Sequence, residues 1–318
     1  MTTETTALVP AGVAREDAIV KTVLDGLTSE NSRRAYERAL VDFLAWYAEK
    51  GKPGLSKATV QAYKVKLQSD GLAPSTINQR LAAVKKLAAE AADNGLLTET
   101  QANGIGRVHG VKTAGVRSGA WLSKEQAQRL LNLPDTDTLK GLRDRGILAV
   151  MLGCGLRRSE VAALTYAHLT QRDGRWVIVD LVGKGNRVRT VPVPAWAKAA
   201  VDDWTAAASA ALGSLLPRDT DRLFRSIRRG DHLDGASMTD QAIADVVRTY
   251  GAALGVKLAA HDLRRTFAKL AHRADGRLDQ IQLTLGHASI RTTERYLGVS
   301  QNLADAPGNH IGLRLETE

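Results

Sequence analysis

Residues 285–296 read LGHASIRTTERY, which sets His287 nine residues ahead of Tyr296. Gly286 predicts a break between helices just before the histidine. Working outward, HDLRR occupies 261–265, with His261 three residues before Arg264 and therefore on the same face of a helix starting near 260. GKGNR stands at 183–187 and GLRRSE at 155–160. Together these stretches supply a phenol, several arginines, two histidines and a lysine. Guanidinium groups stay ionised and bind two oxygens of a phosphate at once, while histidine and lysine can move protons, so the set suits chemistry at a phosphodiester. Each stretch alone has a plainer reading: a surface arginine, a solvated hairpin lysine, a core histidine or a packed helical tyrosine.

The chain of 318 residues is long for one core and predicts two domains. Lys and Arg number 44 against 34 Asp and Glu, a net charge of +10, and the sequence pI is close to 9.8. The excess is shared, with 16 basic to 12 acidic residues through position 118 and 28 to 22 after it. Two basic halves suit a clamp around a polyanion better than one basic tail would. A merely solvated basic surface is the alternative that composition leaves open.

Cys154 is the only cysteine, so a disulfide framework and a cysteine-based zinc site are both out of reach. It reads as a small buried residue rather than a nucleophile. The seven histidines form no HxxxH or HExxH pair, and no phosphate loop of the form GxxxxGK[ST] is present, so neither a metal nor ATP is expected. The N-terminus lacks a secretory pattern, and no stretch approaches the ~18 apolar residues of a membrane span. A cytoplasmic protein with no membrane partner is expected.

Residues 1–18 are small and polar without a period and are read as a disordered arm. A helix is predicted after Thr28 or Ser29, carrying Tyr36, Leu40, Phe43, Leu44 and Tyr47 inward and stopped by Gly51. A second places Val60, Tyr63 and Leu67 on one side. A third opens at Pro74 and buries Ile77, Leu81, Val84 and Ala88. Arg33, Arg34 and Arg38 on the first, with Arg80, Lys85 and Lys86 on the third, are left for solvent or phosphate. From 103 to 120 the sequence is glycine-rich without helical or strand period and reads as a linker. Ser123 then caps a helix, and a mostly apolar helix runs from Leu142 to Gly153. WVIVDLV at 176–182 and RVRTVPV at 187–193 predict a hairpin through Gly183-Lys184-Gly185-Asn186, after which helices return with breaks at Gly255, Gly276 and Gly286.

In this order and spacing, GLRRSE, GKGNR on a hairpin, HDLRR, LGH and the following tyrosine resemble the tyrosine recombinase, or phage integrase, superfamily, with an Xer-like pattern. The resemblance covers most of the chain. It implies a mainly α fold with a small antiparallel β-sheet: an N-terminal helical, SAM-like core-binding domain and a mixed α/β catalytic domain. The boundaries expected are a disordered arm at 1–18, the core-binding domain at 19–108, a linker at 109–120, the catalytic domain at 121–305 and a tail at 306–318. In the family, the residues matching Arg157 and Arg264 contact the scissile phosphate. The resemblance makes Tyr296 the nucleophile that forms a 3′-phosphotyrosine. It makes Lys184 the proton donor to the departing 5′-oxygen, His261 a proton-transfer and phosphate residue, and His287 a hydrogen-bond donor to the phosphate. Glu160 takes a supporting role, and Arg158 and Arg265 are either supports or DNA-backbone contacts.

The partners implied are double-stranded DNA with an inverted-repeat core site and further copies of the chain, as a homotetramer on two duplexes passing through a Holliday junction. The protein would be nucleoid-associated and would need no cofactor. Two competing readings share part of this evidence: a type IB topoisomerase-like DNA relaxing enzyme, against which the core-binding pattern argues, and an inactive site-specific DNA-binding regulator, against which the full set of suitable catalytic residues argues. Only 22 residues follow Tyr296, and Pro307-Gly308 is expected to interrupt any helix there.

Overall fold

The structure, a computed structural model, describes residues 13–112, 120–183, 188–213, 218–233 and 236–297, without the side chains at 13–16, 295 and 296. The chain divides into two compact units, Met1–Arg117 and Ser118–Glu318.

The first unit is built of helices α1 (Val13–Asp25), α2 (Glu30–Glu49), α3 (Lys57–Ser69), α4 (Pro74–Asp93) and α5 (Glu99–Gly106). Pro74 sits at the start of α4, where its missing N–H costs nothing. Leu40, Phe43, Val60, Tyr63, Leu67, Ile77, Leu81 and Val84 form the core, as their periodicity predicts. Phe43 meets Tyr63 edge to face, with ring centroids 5.0 Å apart.

Two expectations here are corrected. Residues 13–18, read as part of a disordered arm, are the opening turns of α1, whose Ile19 and Val23 enter the core. The stretch from 103 was read as linker, but 103–106 complete α5. A reciprocal cap starts that helix: Thr98 Oγ1 accepts from Gln101 N at 3.2 Å, and Gln101 Oε1 from Thr98 N at 2.9 Å. That cap, with fully buried Ile105, offsets the roughly 1 kcal/mol that each internal glycine costs a helix. Residues 109–111 are also tied down. Lys64 Nζ donates to His109 O at 2.9 Å, and Asn78 clasps the Val111 backbone at 2.7 and 2.9 Å.

The second unit contains helices α6 (Lys124–Leu131), α7 (Leu139–Gly153), α8 (Arg158–Ala163), α9 (Ala195–Leu212), α10 (Asp240–Ala253), α11 (Ala260–Arg273), α12 (Leu278–Leu285) and α13 (Ile290–Leu297). Its strands are β1 (Leu169–Arg172), β2 (Arg175–Val182), β3 (Val188–Pro192), β4 (Ile227–Arg228) and β5 (His232–Leu233). Ser123 and Gln126 cap α6 reciprocally, as expected. α7 is apolar on every side from Ile147 to Leu152 and forms the centre of the core, with α9 packed along it through Ala197, Val201 and Trp204. Trp204 is fully buried and satisfies its indole by donating to Leu223 O at 2.8 Å.

β1, β2 and β3 form an antiparallel meander, with Leu169 opposite Ile178 and Ile178 opposite Val191. The predicted hairpin is β2 and β3; β1 was not predicted, because LTQR has no apolar alternation. The small β4–β5 ribbon carries Asp231, whose carboxylate accepts from Leu139 N and Lys140 N at 2.6 and 2.8 Å and so caps α7. Cys154 is buried, and burial pushes its thiol up to about 12, which fits a packing residue. Among the described residues no helix is long and apolar enough to cross a membrane.

Candidate active site

The GLR stretch reaches its place through Gly155, which adopts φ +60. A side-chain carbon there would lie 2.6 Å from the Phe267 ring of α11, so only glycine lets this turn sit against that helix. The turn leaves Arg157 just before α8. Arg264, from the first turns of α11, is 1% exposed and reaches back to this turn, donating to Gly155 O at 2.6 Å. It also donates to Leu285 O at the end of α12.

Glu160 organises the cations. Its carboxylate is 4% exposed and accepts from Arg157 N at 2.8 Å, from Arg157 Nη1 at 2.6 Å and from both arms of Arg189 at 3.0 and 2.9 Å. Burial works to raise its pKa, but the hydrogen bonds and charges of Arg189 and Arg157 win and hold the carboxyl below its ordinary value. Arg189, on β3, donates in addition to Thr284 O at 2.9 Å. The last carbonyls of α12, at Thr284 and Leu285, are therefore filled by two arginines, which suits the negative end of a helix. Gly286 closes that helix in the left-handed conformation, φ 62, and its missing side chain leaves room for Arg189 Cδ at 2.9 Å.

His287 follows at once. Its Nδ1 lies 2.9 Å from Thr293 Oγ1, on α13. Burial, then Arg264, Arg157, His261 and Arg189, depress its pKa to about 4, so the ring is neutral at physiological pH. His261 stands in the first turn of α11, where desolvation and then Arg264, Arg265 and Arg157 likewise lower it. A cavity of about 400 Å³ opens beside Arg157, His261 and Arg264, with Arg158, Gln241 and Arg248 also on its walls.

Arg157, Glu160, His261, Arg264 and His287 are thus brought together. Tyr296 lies on α13, three residues after Thr293, and its side chain is outside the described residues, as is all of Lys184. The tail with Pro307-Gly308 is outside them too.

Of the other cations, Arg265, expected either as a support or as a DNA-backbone contact, is 8% exposed, pairs with Asp262 at 2.9 Å and donates to Ala120 O at 3.4 Å. It pins the entry segment of the unit, residues 120–122, to α11, together with Thr266 Oγ1, which accepts from Leu122 N at 2.9 Å. Arg158 remains half exposed, 3.3 Å from Asp240. In the first unit Arg80 is mostly buried and paired with Asp42 at 2.7 Å, so it is not the solvent-facing residue expected. Arg34 and Arg38 are exposed, while Arg33, Lys85 and Lys86 are half-buried, Lys86 lying 3.5 Å from Glu90.

Arg189 is not distinguished by the sequence, because an arginine alternating with valines along a strand reads as an outward polar position. Among the described residues no cluster of three His, Cys, Asp or Glu side chains could hold a metal ion. What the site can do is hold a phosphodiester among fixed guanidinium groups, with two neutral imidazoles alongside.

Comparison with known proteins agrees with this arrangement. The phage integrase family pattern matches residues 120–302, and the phage integrase N-terminal SAM-like domain matches residues 24–95. The tyrosine recombinase XerC of Myxococcus xanthus is 32% identical over 281 residues, which cover 86% of this chain and 88% of that protein. The tyrosine recombinase XerD of Pseudomonas aeruginosa is 29% identical over 308 residues, covering 93% and 97%. Among solved structures, the XerH site-specific recombinase bound to a palindromic difH substrate, in a post-cleavage complex, has the same fold. It matches with a TM-score of 0.69 at 18% identity, over 92% of this chain and 82% of that one.

Proposed function

The chain belongs to the phage integrase family and is a tyrosine-type site-specific recombinase; we propose that it cuts double-stranded DNA at an inverted-repeat core site and exchanges strands one at a time through a Holliday junction, as a homotetramer on two duplexes. The observation that supports this most is the convergence of Arg157, His261 and Arg264 on the wall of one cavity, with His287 close enough to feel the charges of all three and hydrogen-bonded to the helix bearing Tyr296. The palindromic substrate of XerH supports the inverted-repeat site by likeness.

In the first step the Tyr296 hydroxyl oxygen attacks phosphorus and the bond to the 5′-oxygen breaks, leaving a 3′-phosphotyrosine. A free tyrosine is mostly protonated at neutral pH, so its oxygen must shed the phenolic proton as the bond to phosphorus forms. Arg157 and Arg264 hold the non-bridging oxygens as charge builds on them. Removing one such donor typically costs ~3 kcal/mol of transition-state stabilisation, or about 10²-fold in rate. Lys184 gives a proton to the departing 5′-oxygen. In the second step the 5′-hydroxyl of the other duplex attacks the phosphotyrosine and releases Tyr296. Because the arginines carry the charge and the covalent bond keeps the phosphodiester energy, the reaction needs neither metal nor ATP.

Covalent trapping on a nicked substrate carrying the recombination site, in excess EDTA and without ATP, tests this. The wild type should give a protein–DNA adduct on a denaturing gel, and Tyr296→Phe should give none while shifting the same DNA in a native gel, since phosphate contacts dominate binding. An adduct with the Phe variant, or a strict magnesium requirement for cleavage, would remove the proposal.

A further inference from the structure

Thr293 lies on α13, three residues ahead of Tyr296, and is completely buried. Its hydroxyl oxygen is 2.9 Å from His287 Nδ1, which belongs to the segment leaving α12. His287 is therefore tied to the helix that carries the proposed nucleophile, rather than only to its own turn. Two arrangements of hydrogen are possible across that contact, and they give the imidazole opposite characters. If Nδ1–H donates to the threonine, Nε2 is a bare lone pair. If the threonine donates to Nδ1, Nε2 carries the hydrogen.

The hydroxyl decides between them. Among the described residues Thr293 Oγ1 has this one hydrogen-bond partner, and the usual alternative for a helical threonine, donation to the carbonyl four residues back, is not made. A buried O–H with a single available acceptor donates to it, because an orphaned donor away from water costs about 1–3 kcal/mol while an oxygen lone pair left idle costs less. The imidazole has only one proton to place, since the ring is neutral. That proton then resides on Nε2, and a neutral Nε2–H is a donor.

We propose that Thr293 is a positioning residue of the active site: its hydroxyl holds His287 in the Nε2–H form, so that a hydrogen-bond donor is presented to the scissile phosphate only while the helix bearing Tyr296 is docked. This rests on the reading of His287 as a phosphate ligand and Tyr296 as the nucleophile. The arrangement links two requirements of cleavage. Undocking α13 removes the nucleophile and also takes away the hydroxyl that sets the tautomer at Nδ1. A copy whose tyrosine helix is withdrawn would hold the phosphate less firmly as well as lacking its attacking group.

The test combines a spectroscopic and a kinetic arm on the full chain. Long-range ¹H–¹⁵N spectra of histidine-labelled protein, with the His287 signals identified by their loss in His287→Gln, report the tautomer without reference to DNA. The wild type and Thr293→Ser should show a bare Nδ1 and a protonated Nε2, and the isosteric Thr293→Val should lose that pattern. In covalent trapping on a nicked substrate, Thr293→Val should cleave about ten- to a hundredfold more slowly, on the scale of losing one preorganised donor. Thr293→Ser should restore the rate, and neither substitution should change the affinity in a gel shift. A protonated Nδ1 in the wild type, an unchanged tautomer in Thr293→Val, or a tautomer change that leaves cleavage at the wild-type rate would each overturn the proposal. Adduct formation by Tyr296→Phe, with the tautomer results as expected, would instead indict the reading of the nucleophile.

Discussion

Glu160 and Arg189 form a bidentate pair, with the guanidinium nitrogens 3.0 and 2.9 Å from the two carboxylate oxygens. The same carboxylate holds Arg157, and the same guanidinium holds the end of α12 that leads to His287. One buried ion pair thereby ties together α8, β3 and the end of α12, next to which Arg157 and His287 stand.

Breaking that pair from one side should be costly. Arg189→Ala leaves Glu160 buried with only Arg157 for compensation, and the expected loss is about 3 kcal/mol, read as a lower urea midpoint with unchanged slope. Arg189→Lys should lose less, keeping the charge but not the fork. The pH dependence has a definite sign. Glu160 titrates below its ordinary value in the folded protein, so its contribution is complete above that ordinary value and disappears as pH falls through the lowered one. Arg189→Ala removes the hydrogen bonds that lower it, and acid unfolding should move to higher pH.

Gly286 tests the same junction from the other direction. It occupies the left-handed region, and an added side-chain carbon would lie 2.9 Å from Arg189 Cδ. Gly286→Ala should lower stability by about 1 kcal/mol through the backbone. It should depress cleavage more than that figure suggests, since Arg189 must shift. A crystal structure of the variant with Arg189 unmoved and cleavage at the wild-type rate would refute this.

His287 should titrate near 4, well below an ordinary histidine. Burial is the main cause, followed by the charges of Arg264, Arg157, His261 and Arg189. Because the folded state binds this proton more weakly than the unfolded chain, its contribution to stability is complete above the ordinary histidine value of about 6.5 and is lost as pH falls from there toward 4. Arg157→Gln removes one repelling charge and should move the midpoint upward. An NMR titration of the His287 ring gives both values, and a wild-type midpoint near 6.5 would contradict the placement of these cations.

Much of this was legible in the sequence, for reasons visible in particular residues. Ile77, Leu81, Val84 and Ala88 repeat at helical spacing, and Ser123 with Gln126 spells a reciprocal cap, so those helices could be read locally. What escaped depends on tertiary contact. α1 offers two fully committed core residues, Ile19 and Val23, too few to make a period. α5 hides behind Gly104 and Gly106, though Thr98 and Gln101 announced its start. The cations divided the same way: motif spacing found Arg157 and Arg264, but nothing local distinguishes Arg189, which binds Glu160 from 29 residues away, from the exposed charges. Arg80 and Arg265 hold partners that residue type alone does not announce: Arg80 pairs with Asp42, and Arg265 with Asp262 and the Ala120 carbonyl.

The roles assigned to the cations separate by which oxygen of the phosphate each serves. If the Lys184 ammonium supplies the proton to the leaving 5′-oxygen, Lys184→Ala should fail on ordinary DNA, because an alkoxide is a poor leaving group. The same variant should recover much of its activity when that bridging oxygen is replaced by sulfur, since a thiolate leaves without a proton. Arg157→Ala and Arg264→Ala should be rescued poorly: their guanidinium groups act on the non-bridging oxygens, which the sulfur leaves unchanged, and each should keep a deficit of about 10²-fold. The burial of Arg264 and its bonds to Gly155 and Leu285 add a structural loss that no substrate change can repair. Single-turnover cleavage of both substrates by the three variants makes the comparison. Equal rescue of all three, or none for Lys184→Ala, would mean that the hairpin lysine only anchors DNA and that the proton comes from another group, with His261 in the cavity wall the first to examine.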